Sequence, residues 1–472
     1  LARRARAGGH RARPGHGPGQ QFPPVDHPVP RSRSGAARQP KRRARPNVIV
    51  IINDDMRASD WRALPKTLRE LKDHAWYTHF MSALPVCTPS RVSMLTGMYA
   101  HNHAVLENVG ETNAGYAAFR RNGLEERSLP VVLQKAGYYT GLVGKFMHGY
   151  DMTTPQPKGW DRWVARASGG YVGFDLVVDG KNIRFARHQY VTDVLAGYAR
   201  DFLDTAPEQQ PFFLLFAPTA PHGPYVPSPR YKDRYPDAVV GRDGSFNEAD
   251  VSDKPAHIAS QPPLTPEQIA QIDADERLRL QMLSSTDEAI VSLIKDLQKS
   301  GRLDNTCIFI MSDNGAIMGQ HRLPSSKGLP YDQAVRVPML AWGRSFKART
   351  LQRLTSHADI APTIADLAGT VMPAADGRSL LQRVRRDFIP LQVNPTVIAA
   401  GGHGLRSQAL MYFEYASGER EYYDHRADPF ELTNLLATAG PPPPPIALDL
   451  PTPAALSARL AQVKTCKGAS CP

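Results

Sequence analysis

Cysteine is scarce in this chain, with four in 472 residues, too few for a disulfide framework. No Cys/His cluster stands at metal-ligand spacing, which argues against a structural zinc module. No apolar run reaches the roughly 18 residues that a membrane span needs; the longest are strand-length. Acid is nearly missing from residues 1–45, where twelve Lys/Arg face the single Asp26. That local excess of eleven carries almost all of the formal +12, so the rest of the chain is close to neutral. The basic stretch lacks aromatic interleaving and any DNA-binding motif, so no nucleic-acid partner is expected. Its Arg, Pro, Gly and His cannot bury enough surface to offset ordering entropy, and a disordered tail is expected over 1–45. No apolar segment follows the arginines as a secretory leader requires.

At Pro46 the composition changes. Residues 47–52 are a continuous β-branched run, the pattern of a strand covered on both faces in a parallel sheet. Similar strand-like runs lie at 138–143, 212–217, 306–311 and 335–342, and a short apolar segment at 80–86 leads into Cys87. Between them, helical patterns are read at 130–136, 186–204, 265–299 and 359–368, several stopped by glycine. The alternation predicts an α/β fold with a doubly wound, mostly parallel sheet flanked by helices. Residues 409–415 and 420–423, around Ser417-Gly418, read as an antiparallel hairpin, so a small C-terminal antiparallel subdomain is expected. The polar, Pro-rich loop at 223–263 is long enough to line a pocket. The expected boundaries are 46–395 for the catalytic α/β domain, 396–436 for the β subdomain and 437–472 for a Pro-rich extended tail.

Ligands of open α/β sheets bind beyond the carboxyl ends of the strands. Asp54-Asp55, Lys145, His222 and Asp313-Asn314 each follow directly on a strand-like run, which would gather them at one edge. Three carboxylates and an amide oxygen suit a hard divalent cation such as calcium or magnesium. Either acidic pair alone would more often cap a turn or helix. Cys87, with Pro89 in a first helical turn and Arg91 one turn on, would set a sulfur and a fixed cation at a helix N-terminus, an anion-binding arrangement. Cys307, in an apolar run, reads as buried. Cys466 and Cys471 are close enough in sequence to pair in an oxidising compartment.

Taken together, Cys87-Thr88-Pro89-Ser90-Arg91 followed by Thr96-Gly97 resembles the signature of the sulfatase family. Further matches are Asp54-Asp55, Gly144-Lys145, Ala220-Pro221-His222, Ser312-Asp313-Asn314-Gly315 with Gly319 and His321, Lys327, and the Tyr423-Asp424 to Asn434-Leu435 ending. The resemblance implies an alkaline-phosphatase-like fold and a cysteine, Cys87, oxidised after synthesis to formylglycine by a formylglycine-generating enzyme. It further implies Asp54, Asp55, Asp313, Asn314 and residue 87 around calcium or magnesium, and Arg91, Lys145 and Lys327 clamping the sulfate oxygens. His222 would protonate the leaving oxygen, and His321 would contact the substrate.

His148 stands three residues after Lys145, where many members carry a histidine two residues on. The segment is more similar to the glucosamine-6-sulfatase branch, so His148 is expected as a catalytic-pocket residue. The implied substrate is a sulfated sugar, another sulfated glycan or an aryl sulfate, and the expected location is secreted or periplasmic. Two alternatives stay open: a phosphonate or phosphate monoester hydrolase on the same site, and a non-catalytic binder of sulfated glycans.

Overall fold

The β-branched run forms strand β1 (Asn47–Asn53), buried at all seven positions. The computed structural model describes residues 44–383, 385–395 and 401–472; the expected basic tail lies outside them except for Ala44 and Arg45. In chain order the elements that build the site are β1, α1 (Cys87–Thr96), β2 (Tyr139–Gly144), β3 (Arg162–Gly169), β4 (Val172–Val178), β5 (Lys181–Tyr190), α2 (Val191–Thr205), β6 (Phe212–Ala217), α3 (Pro266–Lys299), β7 (Thr306–Ser312) and β8 (Met339–Trp342). They form one ten-stranded sheet in the order β8-β7-β1-β6-β2-β3-β4-β5, with the short strands Ala75–Tyr77 and Arg349–Leu351 beyond β8.

The centre of the sheet, β7-β1-β6-β2-β3, is parallel. Its margins are not: β8 runs antiparallel to β7, and β3-β4-β5 is an antiparallel meander. Helices cover both faces, which is why β1 reads as an uninterrupted apolar run. Val48, Val50 and Ile52 enter one core with Val92 and Leu95 of α1, while Ile49 and Ile51 enter the other with Leu283 and Ile290 of α3. Each such side chain contributes about 1.5–3 kcal/mol by leaving water.

Helix α3 starts where its sequence dictates. Thr265 accepts from the Gln268 N–H, the Gln268 side chain accepts from the Thr265 N–H, and Pro266 occupies the first turn. Helix α1 ends at Gly97, whose left-handed φ of 73° and approach to Ala375 leave no room for a Cβ.

Three segments differ from expectation. Residues 186–190, read as helix, finish strand β5, because pairing with β4 outweighs a helical period that holds only from Val191 onward. Residues 335–342 are not one strand: a helical turn Asp332–Val335 leads to the bridge strand Arg336–Val337, and Pro338, which lacks an N–H, separates that from β8. The region after Gly440, read as an extended tail, contains a helix, Pro453–Val463, capped by Thr452. Its Leu456, Leu460 and Val463 cover Leu405, Tyr412 and Tyr422 of the C-terminal sheet, so burial of that aromatic face orders the segment. Cys466 and Cys471 beyond it form a disulfide.

That C-terminal sheet, β9 (Ile389–Val393), β10 (Gly402–Arg406), β11 (Leu410–Tyr415) and β12 (Arg420–Asp424), is antiparallel, and the expected β11–β12 hairpin is its outer pair. It begins at Ile389, before the expected boundary at 396, which lies outside the described residues.

A buried ion network locks α3 beneath the carboxyl end of β1. Asp60 accepts from the Arg57 N–H, Arg57 Nη2 and Arg279 Nη2, each at 2.9 Å. Arg279 Nη2 also donates to the Asp55 carbonyl at 2.7 Å. Burial alone would push the Asp60 carboxyl up, but Arg57 and Arg279 more than offset it and bring it down to about 2. Replacing Asp60 by Ala leaves two buried guanidinium groups short of a partner, and chemical denaturation should show a loss of roughly 3–5 kcal/mol. Because the folded pKa is depressed, this contribution is present above about pH 4 and is lost as pH falls toward 2; the variant's stability curve should lack that step.

Candidate active site

Four strand ends of the parallel centre deliver the site. Asp54 and Asp55 follow β1, Lys145 follows β2, His222 lies just past β6, and Asp313 and Asn314 follow β7. Helix α1 faces them with Cys87 at its first turn and Arg91 four residues on, both buried. Lys145 can sit there because Gly144, at φ 124°, lets the backbone pass Ala217; a Cβ would lie 2.0 Å from the Ala217 carbonyl oxygen.

Asp55 adopts a left-handed φ of 67°, a conformation Asp tolerates at a cost of order 1 kcal/mol. The backbone is held on both sides: the Asp55 N–H donates to Asp313 Oδ1 at 3.1 Å and its carbonyl accepts from Arg279. The turn aims both Asp54 and Asp55 carboxylates at Cys87. Cys87 Sγ lies 3.4 Å from Asp54 Oδ1, and Lys327 Nζ donates to both Cys87 Sγ at 3.1 Å and Asp55 Oδ1 at 2.6 Å. Lys145 Nζ meets Asp54 Oδ2 at 2.5 Å. Arg91 grips Asp313 Oδ2 through Nε and Nη2 at 2.9 and 2.8 Å, and its Nη1 donates to the Lys145 carbonyl.

Asp54, Asp55, Cys87 and His222 each offer a ligand atom, all within 4.8 Å of one another, a group able to hold a metal ion. His222 lies with this group, its Nε2 3.7 Å from Asp55 Oδ2, while Asp313, expected among the metal ligands, accepts from Arg91 at Oδ2 and from the Asp55 and Asn314 N–H groups at Oδ1. Asn314 belongs by a different sign: its Nδ2 donates to Asp55 Oδ1, while its buried Oδ1 has no hydrogen-bond partner.

Electrostatics follow from burial and pairing. Burial alone would raise the Asp54 carboxyl, yet Lys145 and His222 hold it well below the usual carboxylate range. Lys327 is held well above the usual lysine range, since Cys87 and Asp55 outweigh burial. The Cys87 thiol is pushed up to about 12 by burial, against the pull of Lys145. A cysteine at a helix N-terminus would ordinarily ionise more readily, so this one is not an activated thiolate. His148 hydrogen-bonds Thr88 Oγ1 through Nδ1 at 3.1 Å; burial, then Lys145, push it down to about 3, so its imidazole is neutral.

His321 is the sequence-predicted residue the structure sets apart. It is fully buried, its Nδ1 lies 2.7 Å from Glu248 Oε2, and its ring stacks on Tyr331. A cleft of about 290 Å³ opens beside the group and is lined by Lys145, His148, His222, Arg166 and Tyr171 among others. Of the long loop at 223–263, Gly223 and Pro224 reach that cleft. Arg166 and Tyr171 escaped the sequence reading because the β3–β4 hairpin was not recognised, although Gly169-Gly170 between alternating runs was a usable turn signal. The Tyr171 hydroxyl lies within hydrogen-bond reach of the Thr219 and His222 carbonyls, at 2.9 and 2.6 Å, and so fixes the histidine's loop.

The sulfatase family model matches residues 46–370, and the chain belongs to the sulfatase family. Human N-acetylglucosamine-6-sulfatase is 33% identical over 357 residues, covering 72% of this chain and 64% of the relative; this chain thus spans just under two thirds of that protein's length. An arylsulfatase of Volvox carteri is 30% identical over 504 residues, covering 90% of this chain and 76% of the relative. Among solved structures, one in complex with its substrate D-glucosamine-2-N,6-O-disulfate superimposes with a TM-score of 0.69 at 21% identity, covering 84% of this chain and 94% of that one. The expected alkaline-phosphatase-like fold is therefore borne out.

Unmodified Cys87 in the native protein should resist iodoacetamide at pH 8, labelling on the order of 100-fold more slowly than in urea-unfolded protein. Mass spectrometry of its peptide checks this, and fast native labelling would contradict the buried thiol.

Proposed function

We propose that the chain hydrolyses sulfate esters, with a sulfated sugar as the favoured substrate class, through a formylglycine made from Cys87. The observation that carries this reading is Cys87 itself, inert as a thiol yet enclosed by Asp54, Lys327 and the potential metal group. The Sγ atom marks where the formylglycine oxygen would stand. Oxidised and hydrated, residue 87 would supply an oxygen nucleophile beside Asp54 and Lys327.

The donor set fits a hard divalent cation: carboxylates of Asp54 and Asp55, and the buried, partnerless Asn314 Oδ1. When bound, such a cation, calcium or magnesium, supplies positive charge against the sulfate oxygens. Three carboxylates (Asp54, Asp55, Asp313) already balance three cations (Arg91, Lys145, Lys327), so a divalent ion would leave the site positive and matched to an anionic ester. Lys145 and Lys327 hold sulfate oxygens, and Arg91 keeps Asp313 and the Lys145 backbone in register. His222 donates its Nδ1–H to the Gly223 carbonyl at 2.5 Å, which turns Nε2 to the site, and in the doubly protonated ring that Nε2–H is delivered to the leaving oxygen. With a pKa of about 3, His148 is a weak base at neutral pH; a substrate contact suits it better. His321, fully buried against Glu248 and Tyr331, is assigned no substrate contact in this reading.

Maturation would need a formylglycine-generating enzyme as partner. A secreted or periplasmic location is supported by the Cys466–Cys471 disulfide; among the described residues no helix is long and apolar enough to cross a membrane.

In active protein, mass spectrometry should find formylglycine at position 87, and Cys87→Ala should abolish sulfate release from an aryl sulfate while leaving the melting temperature within a few degrees. An unmodified thiol in active protein would sink the reading. Paired aryl sulfate and aryl phosphate esters separate it from the monoester-hydrolase alternative: the sulfate should turn over faster by at least about tenfold. Chelation with EDTA should remove activity and calcium or magnesium restore it, whereas Asp55→Ala should lose on the order of 10²–10³ in turnover that neither metal recovers.

A further inference from the structure

Arg166 is a cation in the cleft that no catalytic role uses. It lies on β3, the neighbour of β2, and the register pairs Gly144 with Ala165. Lys145 and Arg166 are therefore the next residues on adjacent parallel strands, at the same carboxyl edge and one strand spacing, roughly 5 Å, apart. Both line the 290 Å³ cleft, together with His148 and His222. Among the described residues Arg166 has no carboxylate partner. The hairpin's own acids are engaged elsewhere, Asp175 with Arg184 and Ser168, and Asp179 with Arg162. Its Nη2 donates to the Gly169 and Gly170 carbonyls, which anchors the head, while Nε is buried with no partner.

A part-buried guanidinium with spare donors, acted on at longer range by an Asp54 that Lys145 already engages, is costly unless a ligand completes it. We infer that Arg166 is a specificity-determining residue that binds a second anionic group on the substrate, a sulfate or carboxylate carried by the same sugar ring as the scissile ester. This rests on the sulfatase reading and deepens it: the preferred substrate is a doubly charged sugar rather than a monosulfated one. Planar, charge-assisted contact explains arginine at this place.

The test uses binding, so that it does not depend on turnover. In a Cys87→Ala background, calorimetry compares glucosamine 2-N,6-O-disulfate with N-acetylglucosamine 6-sulfate, with Arg166 intact or replaced. With Arg166 present the disulfate should bind about 10- to 100-fold more tightly. Arg166→Gln keeps an N–H donor for the Gly169 and Gly170 carbonyls, so a merely structural role would survive it; the inference expects the disulfate preference to vanish while monosulfate binding changes less than about threefold. Arg166→Lys should keep part of the preference. Equal losses on both probes in Arg166→Gln, or no preference with Arg166 intact, overturn the inference. Separately, absence of sulfate release from both probes by the mature protein with Cys87 would sink the sulfatase reading and leave the binding result standing.

Discussion

Three carboxylates buried side by side are the constraint around which this fold is built. Two like charges about 5 Å apart in a protein of effective dielectric about 20 repel by roughly 3 kcal/mol, the situation of Asp54 and Asp55, whose ligand atoms lie within 4.8 Å, and all three carboxylates also lose hydration. The chain answers with fixed cations on separate elements: Arg91 from α1, Lys145 after β2, Lys327 from a loop beyond β7. Each reaches its carboxylate only if the sheet order, the helix placement and the Gly144 passage are all correct.

Beneath this layer, the Arg57–Asp60–Arg279 network performs a second service. Arg279 reaches through it to the Asp55 carbonyl, so a helix 34 residues long holds a single left-handed turn in place. Strain at Asp55 is thus offset by packing and ion pairing well away from the chemistry, which is how a rigid scaffold keeps an unfavourable backbone where two carboxylates must point the same way.

The antiparallel meander β3-β4-β5 lends the parallel core a wall. Parallel strands present their carboxyl ends as an open edge; the added hairpin turns back over that edge and brings Arg166 and Tyr171 to the cleft beside Lys145. The proposed catalytic groups therefore come from the parallel centre, and the far wall of the cleft comes from the margin.

Much was legible in the residues alone. The strands β1, β6 and β7 are continuous apolar runs because both faces are covered, and the carboxylates, lysine and histidine sit one or a few residues beyond such runs because ligand sites lie at carboxyl strand ends. Those are local patterns, and local patterns survive in sequence. Asp313 turning to Arg91 while His222 approaches the carboxylates, the resting of His321 on Tyr331, the ordering of Pro453–Val463 and the arrival of Arg166 at the cleft are different in kind. Each depends on which surfaces meet across long separations in the chain, on burial that changes a thiol or an imidazole, and on strand pairing that overrides a helical period. Propensity and spacing do not encode those meetings; packing decides them.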